Sequence, residues 1–237
     1  MIAGAPVRAP AKLTVSLRVT GVRADGYHEI DAEMVALDLA DELLIGPGDS
    51  LEVVGASGLA VPADDDNLVR RALRAVGRTA SVRLTKRIPA GAGLGGGSAD
   101  AAAVLRWAGC DDLAVAAALG ADVPFCLVGG RARVTGIGEV LEPLPPEDRT
   151  FTLLTPPFGV SSPAVYRMWD ELGGPRSDGP NDLEPAALAV EPRLRGWRDR
   201  LADATGRTPV LAGSGSTWFV EGAFPGEGRV VTRTDRT

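Results

Sequence analysis

Five glycines and a serine crowd the stretch Pro89-Ala90-Gly91-Ala92-Gly93-Leu94-Gly95-Gly96-Gly97-Ser98, just ahead of an alanine-rich run at 99–103. Glycine lets a backbone come close to a bulky anion and adopt turns that a side chain forbids. A helix start then offers unpaired N–H groups and the positive end of its dipole. Such a loop reads as a phosphate cradle, with Pro89, Gly91, Gly93, Leu94, Gly95, Gly96, Gly97 and Ser98 as the residues around the phosphates. No Gly-Lys-Ser/Thr closes it, so it is not a Walker A loop. Gly91, Gly93 and Gly96 satisfy G-x-G-x-x-G, and Asp111 and Asp112 fall near the spacing of a ribose-binding acid. A dinucleotide fold, however, places that pattern directly after its first strand. Here it lies well inside the chain.

Phosphoryl transfer also needs a cation, a metal and a group that handles the proton of the acceptor hydroxyl. Few residues qualify. Lys12 lies in an alternating segment, where Leu13, Val15, Leu17 and Val19 interleave with Lys12, Thr14, Ser16 and Arg18. Period two means a strand, with Lys12 on the face opposite the apolar set. Asp122 lies in Gly120-Ala121-Asp122-Val123-Pro124-Phe125, where a cap or turn role competes with chemistry. Ser98 could cap its helix, hold Mg²⁺ through its hydroxyl, or do both. The single histidine, His28, follows Tyr27 in a glycine-containing segment, which suits recognition of a base.

The elements that would position these residues follow from periodicity. Further strands are expected at 34–39, 43–45, 51–54 and 82–88, the last leading into the glycine loop. Asn67 should cap a helix that ends before Gly77. Helices are expected at 98–108 and 112–119, and a strand pair around Gly136 and Gly138. The proline-rich segment 142–148 is the expected boundary between a domain at 1–148 and one at 149–237. Beyond it come a strand at 151–154 and a helix at 163–172 with Ser162 as its cap. Helices at 183–190 and 193–204 and strands at 210–212, 217–220 and 229–234 complete the chain. Strands and helices mix without β-α alternation, so the fold class is α+β.

Composition sets outer limits. The 237 residues carry 45% hydrophobic side chains and a net charge of −6, which suits a packed globular chain and argues against a general nucleic-acid binder. Two cysteines, Cys110 and Cys126, show no C-x-x-C spacing, so free thiols and a cytoplasmic setting are expected. No apolar run is long enough for a membrane span or an export signal.

The pieces occur in the order of a known group. Pro10-Ala11-Lys12-Leu13, the glycine loop, and Leu211-Ala212-Gly213-Ser214-Gly215-Ser216-Thr217 resemble the three signature regions of the GHMP kinases. Arg23-Ala24-Asp25-Gly26-Tyr27-His28-Glu29, the segment around Asp122, and Asn181-Asp182-Leu183-Glu184 resemble the branch that acts on a cytidine diphosphate-linked polyol. The resemblance implies a two-domain fold with the active site in the cleft between domains. It implies ATP and Mg²⁺, with small-molecule substrates and a monomer or weak homodimer. It makes Lys12 and Asp122 the catalytic pair, and puts Asn67 on the adenine side. Thr14, Tyr27, His28, Tyr166, Gly213, Ser214 and Gly215 would hold the second substrate, with Ser98 as the Mg²⁺ contact.

Two departures stand out. Thr14 replaces the asparagine usual in that group, and the segment after Val220 leaves room only for a loop, so the C-terminal domain is expected to be shortened. Two other readings remain open: a GHMP kinase for homoserine or a mevalonate-type substrate, and a silent nucleotide-binding relative.

Overall fold

The computed structural model describes residues 6–55 and 61–236. Its centre is a long hairpin. Strand β1 (Val7–Val22) runs antiparallel to β2 (His28–Gly46), with Val22 opposite His28 and Val7 opposite Leu43. The expected strands at 34–39 and 43–45 are thus parts of one strand. On the other edge of β2, β4 (Ser81–Thr85) pairs near one end and β5 (Arg131–Gly136) near the other. Strand β3 (Ser50–Val54) lies parallel to β4, and β6 (Val140–Pro143) closes on β5. The first helix, α1 (Leu68–Ala75), makes the β3–β4 crossover and is capped by Asn67, whose Oδ1 accepts from the Val69 N–H at 2.8 Å.

Helix α2 (Gly96–Trp107) follows the glycine loop, then α3 (Leu113–Leu119) and α4 (Val123–Val128). A second sheet has the order β10-β7-β9-β8, from β7 (Thr150–Leu154), β8 (Val210–Leu211), β9 (Trp218–Glu221) and β10 (Arg229–Arg233). Helices α5 (Ser162–Glu171), α6 (Glu184–Val190) and α7 (Leu194–Thr205) lie between β7 and β8 in sequence. After β9 the chain forms no further helix among the described residues.

Both apolar cores draw on both sheets. One packs Leu13, Leu37 and Leu84 with α1, with the alanines of α2, and with Phe151, Leu153 and Phe219. The other packs Leu17, Ile30, Met34 and Phe125 with Leu154, Val165, Leu183 and Trp218. Ala99, Ala101, Ala102 and Ala103 are all fully buried, so small side chains bring α2 close against β1.

Several local expectations change. Helix α2 begins two residues before Ser98, with Gly95 at the N-cap in the left-handed region (φ 68°), so Ser98 is not the cap. Only glycine takes that conformation without strain. Helix α5 is preceded by Ser161 at its N-cap, and Ser162 is its first residue instead. Asp112 caps α3 by accepting from the Ala114 N–H at 2.8 Å, which removes it as a ribose-binding acid. Helix α4 has no counterpart among the expected elements; six residues are too few for a helical period to register.

Candidate active site

Lys12 is 5% exposed, although it lies on the polar face of β1. Its Nζ lies 3.2 Å from Asp122 Oδ2 and donates to Thr14 Oγ1 at 3.1 Å. The apolar face of β1 packs on the core, while the glycine loop and the third motif cover the other. A Cβ added to Gly95 would stand 2.7 Å from Lys12 Cγ, and one added to Gly213 would stand 3.5 Å from Lys12 Nζ. Asp122 occupies the N-cap position of α4, but its side chain makes no capping hydrogen bond. Its carboxylate faces Lys12 instead and remains about one-third exposed (32%). The pair therefore combines a fixed ammonium with a carboxylate that solvent or a hydroxyl can still reach.

The crown of the glycine loop is held by backbone bonds from the other two motifs. Lys12 N–H donates to Leu94 C=O at 3.0 Å, and Thr217 N–H donates to Ala92 C=O at 3.1 Å. A Cβ on Gly93 would stand 2.5 Å from Gly215 O and 2.6 Å from Ala212 O. Glycine at 93 is thus required by contact with the third motif as well as by its φ of 76°. The third motif is braced in turn by Asn181, whose Nδ2 donates to Leu211 O at 2.8 Å and Gly213 O at 2.7 Å. Its neighbour Asp182 is fully buried and accepts from Arg18 Nη1 at 2.7 Å, Ser177 N at 3.0 Å and Val19 N at 3.1 Å. The Asn-Asp pair is accordingly a brace between β1, α6 and the third motif.

A cavity of about 580 Å³ opens beside these groups. Lys12, Thr14, Ser98 and Asp122 lie on its wall together with Gly213 and Ser214. So do Tyr27, His28, Tyr166, Arg167 and Asp170. Tyr27 and His28 come from the β1–β2 turn. Gly26, with φ 84°, makes that turn, and Asp25 Oδ1 accepts from the Tyr27 N–H at 3.2 Å. His28 Nε2 lies 2.8 Å from Asp170 Oδ1, and its ring centroid lies 4.7 Å from that of Tyr166. Trp169 meets the same ring edge-on at 5.6 Å. Tyr27 joins neither stack and is 59% exposed on the cavity wall. Burial pushes the Tyr166 hydroxyl well above the usual phenol range, with Asp122 adding to the shift, so it stays protonated.

Of the expected phosphate loop, Pro89 to Ser98, only Ser98 lines this cavity, and other expected residues miss it too. Asn67 spends its amide on the α1 cap and on Pro62 O at 2.7 Å, and Gly215 lies behind Gly93. Leu94 is buried at 1% exposure and contributes its carbonyl to Lys12.

Sequence reasoning missed two features. Arg167 on α5 faces the cavity and forms no ion pair or hydrogen bond among the described residues. Lys86 is 5% exposed and joins Asp41 and Asp100, which are 0% and 3% exposed. Its Nζ donates to both, at 2.8 Å in the case of Asp100 Oδ2. Burial pushes the Asp100 carboxyl up to about 7, and Asp41 adds to this while Lys86 opposes it. Burial works against the Lys86 ammonium, but Asp100 and Asp41 outweigh it and raise its affinity for the proton.

Known proteins resemble this chain in sequence and in fold. The family model for the GHMP kinases N terminal domain matches residues 67–130. The 4-diphosphocytidyl-2-C-methyl-D-erythritol kinase of Paracoccus denitrificans is 40% identical over 231 residues, covering 89% of this chain and 84% of that protein. The kinase of the same name from Ruegeria pomeroyi is 38% identical, covering 93% of this chain and 88% of its own length. A crystal structure of 4-(cytidine 5'-diphospho)-2C-methyl-D-erythritol kinase superposes with a TM-score of 0.75 at 33% identity, over 98% of this chain and 100% of that one. The mevalonate kinase of Methanococcus jannaschii, at 13% identity and a TM-score of 0.59 over 98% of this chain and 99% of its own, shares the fold.

Proposed function

The chain belongs to the 4-diphosphocytidyl-2-C-methyl-D-erythritol kinases of the GHMP group, and from that premise we propose how its residues divide the work. The enzyme is an ATP-dependent phosphotransferase with a hydroxyl acceptor. The proposal assigns that acceptor as the 2-hydroxyl of 4-diphosphocytidyl-2-C-methyl-D-erythritol. The observation that carries it is that Lys12 and Asp122 line the same cavity as His28, Tyr166 and Arg167. Chemistry and base recognition thus share one space.

The glycine loop suits the phosphates of ATP. Its helix start supplies N–H donors without intrahelical partners. Asp122 takes the proton of the acceptor hydroxyl as that oxygen bonds to the γ-phosphorus and ADP leaves. Lys12 holds Asp122 in place and offsets charge on the transferring group. His28 and Tyr166 form the wall for the cytosine ring, with Asp170 fixing the imidazole through Nε2. Arg167, the cavity cation without an internal partner, suits the substrate's diphosphate.

Mg²⁺ would supply charge neutralisation on the phosphates. Among the described residues no three His, Cys, Asp or Glu side chains converge as a metal cage. The Ser98 hydroxyl, on the cavity wall, would be the protein contact of an ion carried on the ATP phosphates. Both apolar cores draw on both sheets, so we treat 1–148 and 149–237 as two halves of one packed unit rather than as separately folding domains.

The test is ATP consumption with cytidine-diphospho-methylerythritol beside homoserine and mevalonate. Turnover with the cytidylated substrate alone is expected. Phosphorylation of homoserine instead would sink the assignment.

A further inference from the structure

The buried trio Asp41, Lys86 and Asp100 takes no part in the chemistry above and sits beneath the glycine loop. Burying charge is costly unless each group is paired and placed. Its location is specific. Asp41 Oδ1 accepts from the backbone N–H of Arg87 at 2.5 Å and of Ile88 at 2.8 Å, the two residues that lead into the loop. Asp100 lies in the second turn of α2, on the far side of the loop. Lys86 Nζ bonds both carboxylates and so closes a ring of side chains across the loop's two ends. The ammonium also lies directly under the helix start, 3.1 Å from where a Cβ on Gly96 would stand. Gly96 has no left-handed φ to explain it; a Cβ there would stand 3.1 Å from both Lys86 Nζ and Ile88 Cγ2, so a side chain at 96 requires one of them to shift.

We propose that Asp41, Lys86 and Asp100 form a clasp that sets the separation between the entry strand and α2, and thereby the geometry of the phosphate loop. Lys86 is a positioning residue in this scheme. It acts through Gly96 and Asp100 and touches no substrate. Lys12 and Thr217 hold the loop's crown through backbone bonds, and the clasp holds its base. Releasing the base lets α2 shift, so the N–H groups at its start no longer converge on one point.

The inference rests on the reading that this loop binds ATP, and that reading is checked separately. Amide hydrogen exchange across residues 91–98 should slow when ATP is added to the wild-type protein. No protection there would remove the ATP reading itself, whatever the variants do.

For the clasp, the measurement is kcat, KM for ATP and KM for the cytidylated substrate in Lys86→Met, Asp100→Ala and Asp100→Asn. Lys86→Met should raise KM for ATP tenfold or more, with kcat within about threefold and the other KM unchanged. It leaves two buried carboxylates facing each other and can fail to fold. Asp100→Ala keeps the Asp41–Lys86 pair, adds one alanine to the alanine-rich α2 and decides the matter in that event; it should show the same split. Asp100→Asn retains an oxygen that accepts from Lys86 and should restore wild-type KM for ATP. A folded Asp100→Ala protein with unchanged or lower KM for ATP would overturn the proposal. A purely structural trio would lower the melting temperature in the same variants and leave the KM values alone.

Discussion

Lys12 and Asp122 meet at 3.2 Å although one belongs to the first strand and the other opens a short helix after α3. Asp122 sits where a capping aspartate would sit and makes no cap bond. Its carboxylate faces Lys12 instead and stays about one-third exposed.

Asp122→Asn preserves shape and removes the base. General-base assistance contributes about 10²–10⁴-fold, so turnover should fall by that range while ATP still binds. Lys12→Ala should also lower turnover. The double variant should lose less than the product of the two single losses, because the groups act as one unit. Steady-state kinetics of the three variants, with ATP affinity measured separately, checks this. Full multiplicative losses would mean that the two residues work independently.

Gly93 supports a stability prediction. Alanine there must adopt a φ of 76° and press its Cβ against two backbone carbonyls, at 2.5 and 2.6 Å. The backbone conformation alone costs about 1–3 kcal/mol, and the contacts require the third motif to move. Gly93→Ala should lower the denaturation midpoint and raise KM for both substrates, since the loop and the third motif shift together. Gly109 is a control. Its φ is 72° as well, but a Cβ there meets nothing within 4 Å. Gly109→Ala should show the backbone penalty alone, with both KM values intact.

What the sequence made legible follows from how local each signal is. Asn67 and Asp112 announce helix starts through a bond to a neighbour two residues on, and the structure places both at N-caps. The β1–β2 turn is likewise written into Asp25 and Gly26. The burial of Lys12 is not local. Alternation assigns it to the polar face of β1, and the cover comes from Gly95 and Gly213 on distant segments. The trio of Asp41, Lys86 and Asp100 was illegible for the same reason. Each residue alone reads as an ordinary surface charge, and only the fold brings three elements to one buried point. Asp41, in the gap between the expected strands at 34–39 and 43–45, also made one strand look like two; in the fold it is spent on Lys86.

Arg167 and His28 predict substrate selectivity. Arg167→Ala should raise KM for the cytidylated substrate about tenfold, the effect of losing one charge-assisted hydrogen bond. KM for ATP should stay the same. Arg167→Lys should recover only part of the loss, because an ammonium lacks the planar fork of a guanidinium. CDP should compete with the cytidylated substrate, and His28→Ala should weaken that competition. Equal inhibition of the wild type and His28→Ala by CDP would place the base elsewhere.

The pH dependence of stability turns on Asp100. In the fold its carboxyl holds a proton up to about pH 7, against an ordinary value of 3.8. Between those two values the folded state binds a proton that the unfolded chain has released. Unfolding free energy therefore falls as pH rises through that window. Asp31, Glu191 and Glu221 are held below the usual carboxylate range by arginine partners and tilt the curve the other way, but only at lower pH. Lys86 contributes up to pH 10 and above, because its proton affinity is raised. Asp100→Asn removes the titration and keeps the bond to Lys86. Urea denaturation between pH 4 and 8 should thus show a stability curve that declines in the wild type and is flatter in the variant. The variant should be the more stable protein at pH 8. Parallel curves for the two proteins would mean that Asp100 is ionised throughout, its charge fully compensated by Lys86.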